Sequence, residues 1–169
     1  GYAMTVYVSQ NLGVCAYRRI RKGVGAGTAI GVVTSLVIGA AMLLFGRAIL
    51  SGFITSQDPA EARQAHAYAM QILRLMSVCL PVLYVLHIIR SSLQGMGDTL
   101  FPMFSGLAEL AMRVGAALIL PAFLGYEAVF VGEVLAWVGA DVILLARYWT
   151  RMRRFPAADR APEALAEEI

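Results

Sequence analysis

The stretch Gly23–Gly46, GVGAGTAIGVVTSLVIGAAMLLFG, contains no charged residue. A helix of that length rises about 36 Å, enough to cross a hydrocarbon layer of about 30 Å. The run continues past Arg47 to about Ile54. Small residues recur in it at every fourth position: Gly23, Gly27, Gly31, Ser35 and Gly39. On a helix these form one shallow stripe that lets another backbone approach closely. In lipid, packing rather than hydrophobicity drives such association. Tight bundle packing is the first expectation for the stripe, and a surface that slides during a working cycle is the second. A weaker stripe follows later in Ala128, Gly132, Ala136 and Ala140.

Outward from this run, the chain divides into further apolar segments. Residues 1–17 carry no charge and lead into the basic cluster Arg18, Arg19, Arg21 and Lys22. A secretory signal has the opposite order, basic residues first. The opening therefore reads as the tail of a helix, and the chain is expected to be a fragment of a longer protein. After the first full span, Asp58 is placed to cap a new helix, with Pro59 at its first position and Glu61 completing a capping box. That helix is apolar from Leu75 to Ile89, between Arg74 and Arg90, so Arg74 must snorkel or line the protein interior. Pro81 removes one backbone hydrogen bond and predicts a kink. Gly95–Asp98 ends the helix, and Asp98 or Thr99 is expected to cap the next, from about Thr99 to Ala122. Pro121 and Gly125 mark a turn before a last span from about Tyr126 to Tyr148. The fold class expected is all-α: a polytopic transmembrane helix bundle over residues 1–155, with about four complete spans plus the end of a preceding one. Residues 156–169 read as a polar cytoplasmic tail.

Composition agrees with a membrane setting. The chain is 59% hydrophobic and 15% charged, against about 45–50% and about 25% in soluble domains. Basic residues gather beside apolar runs, which is the pattern of topology signals and not of a nucleic-acid surface. Arg18, Arg19, Arg21, Lys22, Arg90, Arg147, Arg151, Arg153 and Arg154 fall at one set of span ends. The opposite ends carry Arg63, with Arg47 and Arg74 close by. This bias predicts cytoplasmic basic loops and a cytoplasmic C-terminus, in a multi-pass protein of the plasma (inner) membrane. Cys15 in a loop and Cys79 in an apolar helix predict no disulfide and no metal site, and no nucleophile–base arrangement predicts an enzyme.

Charged residues inside the spans are the candidates for function. Each costs roughly 2.5–3.5 kcal/mol at mid-bilayer on insertion scales, so it is expected to face partners or a wet path. Glu109 and Arg113 share a helix face at a spacing of four, and Glu133 and Asp141 lie on the last span. Counting along opposed helices places Glu133 within reach of Arg113. A buried ion network fixing helix register is one reading. A proton- or cation-responsive cluster beside a central cavity is the other. Asp141, nearer the inner end, is expected to be hydrated. His87, with Tyr84 one turn earlier, is a candidate proton carrier or a hydrogen-bonded packing residue.

These residues resemble a known family. Tyr7-Val8-Ser9-Gln10-Asn11-Leu12-Gly13 before a basic stretch is similar to the junction after an even-numbered helix in multidrug and toxic compound extrusion (MATE) transporters. Arg90-Ser91-Ser92-Leu93-Gln94-Gly95-Met96-Gly97-Asp98-Thr99, then Pro102-Met103, resembles that family's loop between its tenth and eleventh helices. Glu109-Leu110-Ala111-Met112-Arg113, then Gly132-Glu133 and Trp137, resembles its last two helices. The likeness runs to about Phe155. It implies the end of the eighth helix and helices nine to twelve of a two-lobed secondary transporter, completed by an N-terminal lobe. It further implies export of organic cations or other toxic small molecules in exchange for Na⁺ or H⁺ by alternating access, without a bound cofactor. The segment from Leu75 to Ile89 lacks the intramembrane acid that some members use on their tenth helix. A lipid-linked saccharide flippase of the same superfamily and a non-transporting membrane interaction module remain the alternatives.

Overall fold

The computed structural model describes residues 1–53 and 59–156. Their regular structure is helical: α1 (Tyr2–Gly13), α2 (Tyr17–Phe53), α3 (Pro59–Gly95), α4 (Leu100–Ile119), the single turn α5 (Pro121–Leu124) and α6 (Ala128–Arg154). A 3-10 turn, Gly125–Glu127, joins the last two. The helices α2, α3, α4 and α6 are each long and apolar enough to cross a membrane. The expected all-α, four-span architecture is what the chain forms, with α1 as the shorter helix before it. The Ser56–Asp58 turn with its Asp58 cap, and the tail beyond Pro156, lie outside the described residues.

Helix boundaries follow local chemistry. Val14 and Cys15 break α1 from α2, with Cys15 at φ 53°. Helix α3 continues through Pro81 as one element and ends where Gly97 takes φ 75°. Helix α4 stops at Ile119, short of the expected Ala122. Pro121 has no N–H to extend the ladder, so it opens a separate turn that Gly125 closes at φ 56°. Helix α6 outruns the expected end at Tyr148 and reaches Arg154. Arg151, Arg153 and Arg154 lie in its last turn, where cations favour the negative end of the helix dipole. Arg21 of α2 adds to this by donating to the carbonyls of Met152 (3.1 Å), Phe155 (2.9 Å) and Pro156 (3.3 Å).

Two helix pairs carry most of the packing, α2 along α3 and α4 along α6; α3 also packs on α6, and α1 closes over α2 and α3. The stripe on α2 lies in these contacts. A Cβ added at Gly39 would stand 2.7 Å from the Ser77 carbonyl oxygen of α3. One at Gly31 would meet Ile88, and those at Gly23 and Gly27 would meet Tyr7 and Met4 of α1. Ser35, between them, is fully buried. On α6, Ala128, Ala136 and Ala140 are fully buried, and a Cβ at Gly132 would stand 2.6 Å from the Ala116 Cβ. The aliphatic core, Val8, Ile20, Val24, Leu86, Ile89, Leu93 and Leu144, sits where α1, α2, α3 and α6 meet. Outside it, Ile30, Val33, Val37, Leu44, Leu107, Leu118 and Val142 are each 60% or more exposed. Apolar surface of that extent belongs in lipid or against further helices.

Candidate functional site: an ion chain across three spans

Helix α4 turns a polar stripe inward. Pro102, Ser105, Glu109 and Ala116 are its buried positions, so the carboxylate halfway along the helix lies on the packed face and not toward lipid. The close approach of α4 to α6 through Gly132 and Ala116 then brings Arg113 to Glu133, the residue after that glycine. The guanidinium grips the carboxylate in a fork: Nε donates to Oε2 and Nη2 to Oε1, both at 2.7 Å. Paired, parallel hydrogen bonds of this kind are the strongest Arg–carboxylate geometry. Arg113 also reaches Glu109 on its own helix at 3.3 Å.

Glu109 has a second cation. Arg90 of α3 pairs with it directly and donates to the Ser105 Oγ at 3.2 Å. The Ser105 hydroxyl in turn donates to the Pro102 carbonyl at 2.8 Å. The result is a continuous chain, Arg90–Glu109–Arg113–Glu133, linking α3, α4 and α6 with two charges of each sign. Balance of this kind lowers the cost of holding each charge away from water, and removing any one member leaves a partner stranded. The chain also has a direction. The Glu109 side chain is 7% exposed, whereas those of Glu133 and Arg113 are 34% and 37% exposed. Arg113 and Glu133 are therefore partly accessible, and Glu109 is not.

The structure brings Glu109, Arg113 and Glu133 together and adds Arg90, which charge counting had placed among the topology-setting loop residues. Asp141 differs from expectation. It is 8% exposed on the packed face of α6, and its Oδ1 has no hydrogen-bond partner among the described residues. His87 and Tyr84 are not part of the chain. His87 is exposed, with Nδ1 2.9 Å from the Leu83 carbonyl of its own helix. Tyr84 lies against the glycine stripe at Gly31. Among the described residues no group of three His, Cys, Asp or Glu side chains is placed to hold a metal ion.

A second cluster escaped sequence reasoning altogether. Asp98, in the turn between α3 and α4, accepts from Arg147 Nε at 2.6 Å and lies 3.5 Å from Arg151 Nε, both on α6. The Arg147 guanidinium carbon also sits 4.1 Å from the centre of the Phe101 ring. The expected capping role of Asp98 shrinks to one long contact from the Phe101 N–H at 3.5 Å, and Thr99 makes no side-chain cap. The available signal was the row of arginines at spacing four on α6, Arg147 and Arg151, facing an acid in a glycine-containing turn.

A search among curated proteins found no match. The family model described as MatE matches residues 1–119, from α1 to the end of α4, and so includes Arg90, Glu109 and Arg113. With four apolar spans and a match over more than half its length, the chain belongs to the MatE family of membrane transporters.

Proposed function

We propose that this chain forms the C-terminal lobe of a cation-coupled exporter, which moves organic cations or other toxic small molecules outward in exchange for Na⁺ or H⁺. The lobe would work with an N-terminal lobe by alternating access, from the plasma (inner) membrane, with its basic ends and C-terminus in the cytoplasm. The observation that carries this reading is the ion chain Arg90–Glu109–Arg113–Glu133 across three spans. A network with equal numbers of opposite charges is sensitive to an arriving proton or metal cation. Neutralising Glu133 releases the Arg113 fork, and the freed guanidinium turns wholly to Glu109. That exchange alters how α4 is held against α6, a helix pair that meets closely at Gly132 and Ala116. Differential attachment of two helices in two charge states is what a coupling ion needs in order to shift a conformational equilibrium.

The test is dye export from vesicles containing the whole transporter, with Na⁺ and pH gradients imposed separately. The proposal expects export of a cationic dye to depend on one of the two gradients and to stop when that gradient is collapsed. Dye movement indifferent to both gradients contradicts cation coupling. No dye movement, with flipping of a lipid-linked saccharide in the same vesicles, would instead support the flippase reading.

A further inference from the structure

At the end of the bundle away from Asp98, α2 and α3 flank an open cavity of about 940 Å³ lined by Arg47, Ser51, Arg63, His66, Gln71 and Arg74, among others. Its charge is unusual for its position. Nine of the basic residues sit at the opposite span ends or in the Arg90 link, and Arg113 is taken by two acids. The remaining described Lys and Arg residues are Arg47, Arg63 and Arg74, and all three line this one cavity. No Asp or Glu is among the described residues that line it. Among the described residues, Arg47 and Arg74 have no ion pair. Concentrating cations at the span ends that are otherwise poor in them runs against the charge bias that orients membrane helices.

We propose that this cavity binds a phosphate-bearing anion, and the surroundings favour the headgroup of an anionic phospholipid as its source. Guanidinium groups hold phosphate oxygens through paired N–H donors, and Arg47 and Arg74 present such donors from two helices, with Arg63 adding to the positive lining. Depth fits a headgroup. From Lys22 to Arg47 helix α2 rises about 37 Å, against a hydrocarbon layer of about 30 Å. When Lys22 lies in one polar layer, Arg47 lies in the other. Beside the cavity on α2, Leu44 (78%), Phe45 (61%), Ile49 (47%) and Phe53 (82%) are exposed. Cations next to outward apolar side chains suit a molecule with an anionic head and hydrocarbon tails. The site also accounts for Arg74, which bounds the apolar window of α3, is exposed and lines this space.

The experiment measures lipid binding directly and does not depend on export. The transporter is purified in detergent and titrated with phosphatidylglycerol or phosphatidylcholine, with bound lipid counted by native mass spectrometry. Phosphatidylglycerol should bind in preference. Each of R47Q and R74Q should weaken it about fivefold, the contribution of one cation near an anionic headgroup. R47K/R63K/R74K retains the charges and should keep a measurable preference, which separates loss of the site from loss of the fold. If inorganic phosphate displaces the lipid, the phosphate site stands and a free anion shares it. Equal binding of the two lipids, or unchanged phosphatidylglycerol binding in R47Q and R74Q, overturns the proposal.

Discussion

Asp98 and Arg147 meet at 2.6 Å across 49 positions of sequence, and with Arg151 they clasp the α3–α4 turn to the last helix. The Asp98 side chain is 4% exposed, so its charge depends on these arginines and not on water. D98N removes that charge and leaves two cations facing each other. Breaking a buried pair costs about 3–5 kcal/mol, and the partial exposure of both arginines places D98N toward or below the lower figure. Its thermal unfolding midpoint in detergent should fall clearly below that of R151Q, which loses two long contacts, to Asp98 and to the Met96 carbonyl, each at 3.5 Å. Equal midpoints would show that the clasp contributes little.

The glycine stripe on α2 gives a matched pair of substitutions. G39A places a Cβ 2.7 Å from a carbonyl oxygen on α3, where only movement of the backbone can relieve the overlap. Overpacking of this kind costs about 1–3 kcal/mol. G25A, on the same helix, has nothing within 4 Å and should stabilise by about 0.5–1 kcal/mol through helix propensity. Thermal scans of the two variants side by side should move in opposite directions.

At Arg113 the two hydrogen bonds to Glu133 distinguish shape from charge. R113K keeps the cation and loses the fork, and R113Q loses both. Stability in detergent should fall in the order wild type, R113K, R113Q. Because Glu109 retains Arg90, R113Q should remain foldable. R113K indistinguishable from wild type would mean that only net charge matters at this position.

His87 bonds to its own backbone and is exposed away from the ion chain. H87A should therefore leave the pH dependence of dye export unchanged. A shift in that profile would return His87 to the list of proton carriers.

Much of this was legible in the sequence because uncharged runs the length of a bilayer have few alternatives. Gly23–Gly46 fixed α2, and the spacing of Glu109 and Arg113 fixed their common face, since four residues bring a helix back to the same side. Glu133 was reachable by counting along opposed helices. Arg90 was not, because an arginine near a span end reads equally as a topology signal and as an inward side chain. Asp98 was misassigned for a related reason: an acid before a helix resembles a cap, and its partners lie in a distant helix. His87 and Tyr84 sit on α3, whose apolar residues surround the helix, so periodicity gave no inward face to choose.

The central claim is that the ion chain couples cation entry to export. E109Q and E133Q each remove one acceptor of charge-assisted hydrogen bonds, worth about 1.5–3 kcal/mol apiece. If that energy acts at the step limiting export, the rate falls roughly tenfold to a hundredfold. The direct measurement is initial dye export from vesicles under a fixed coupling gradient, with reconstituted protein quantified for each variant. The account predicts normal insertion and a drop in gradient-driven export of that size for both. Wild-type export rates in E109Q and E133Q would leave the chain a structural tie between helices and contradict it.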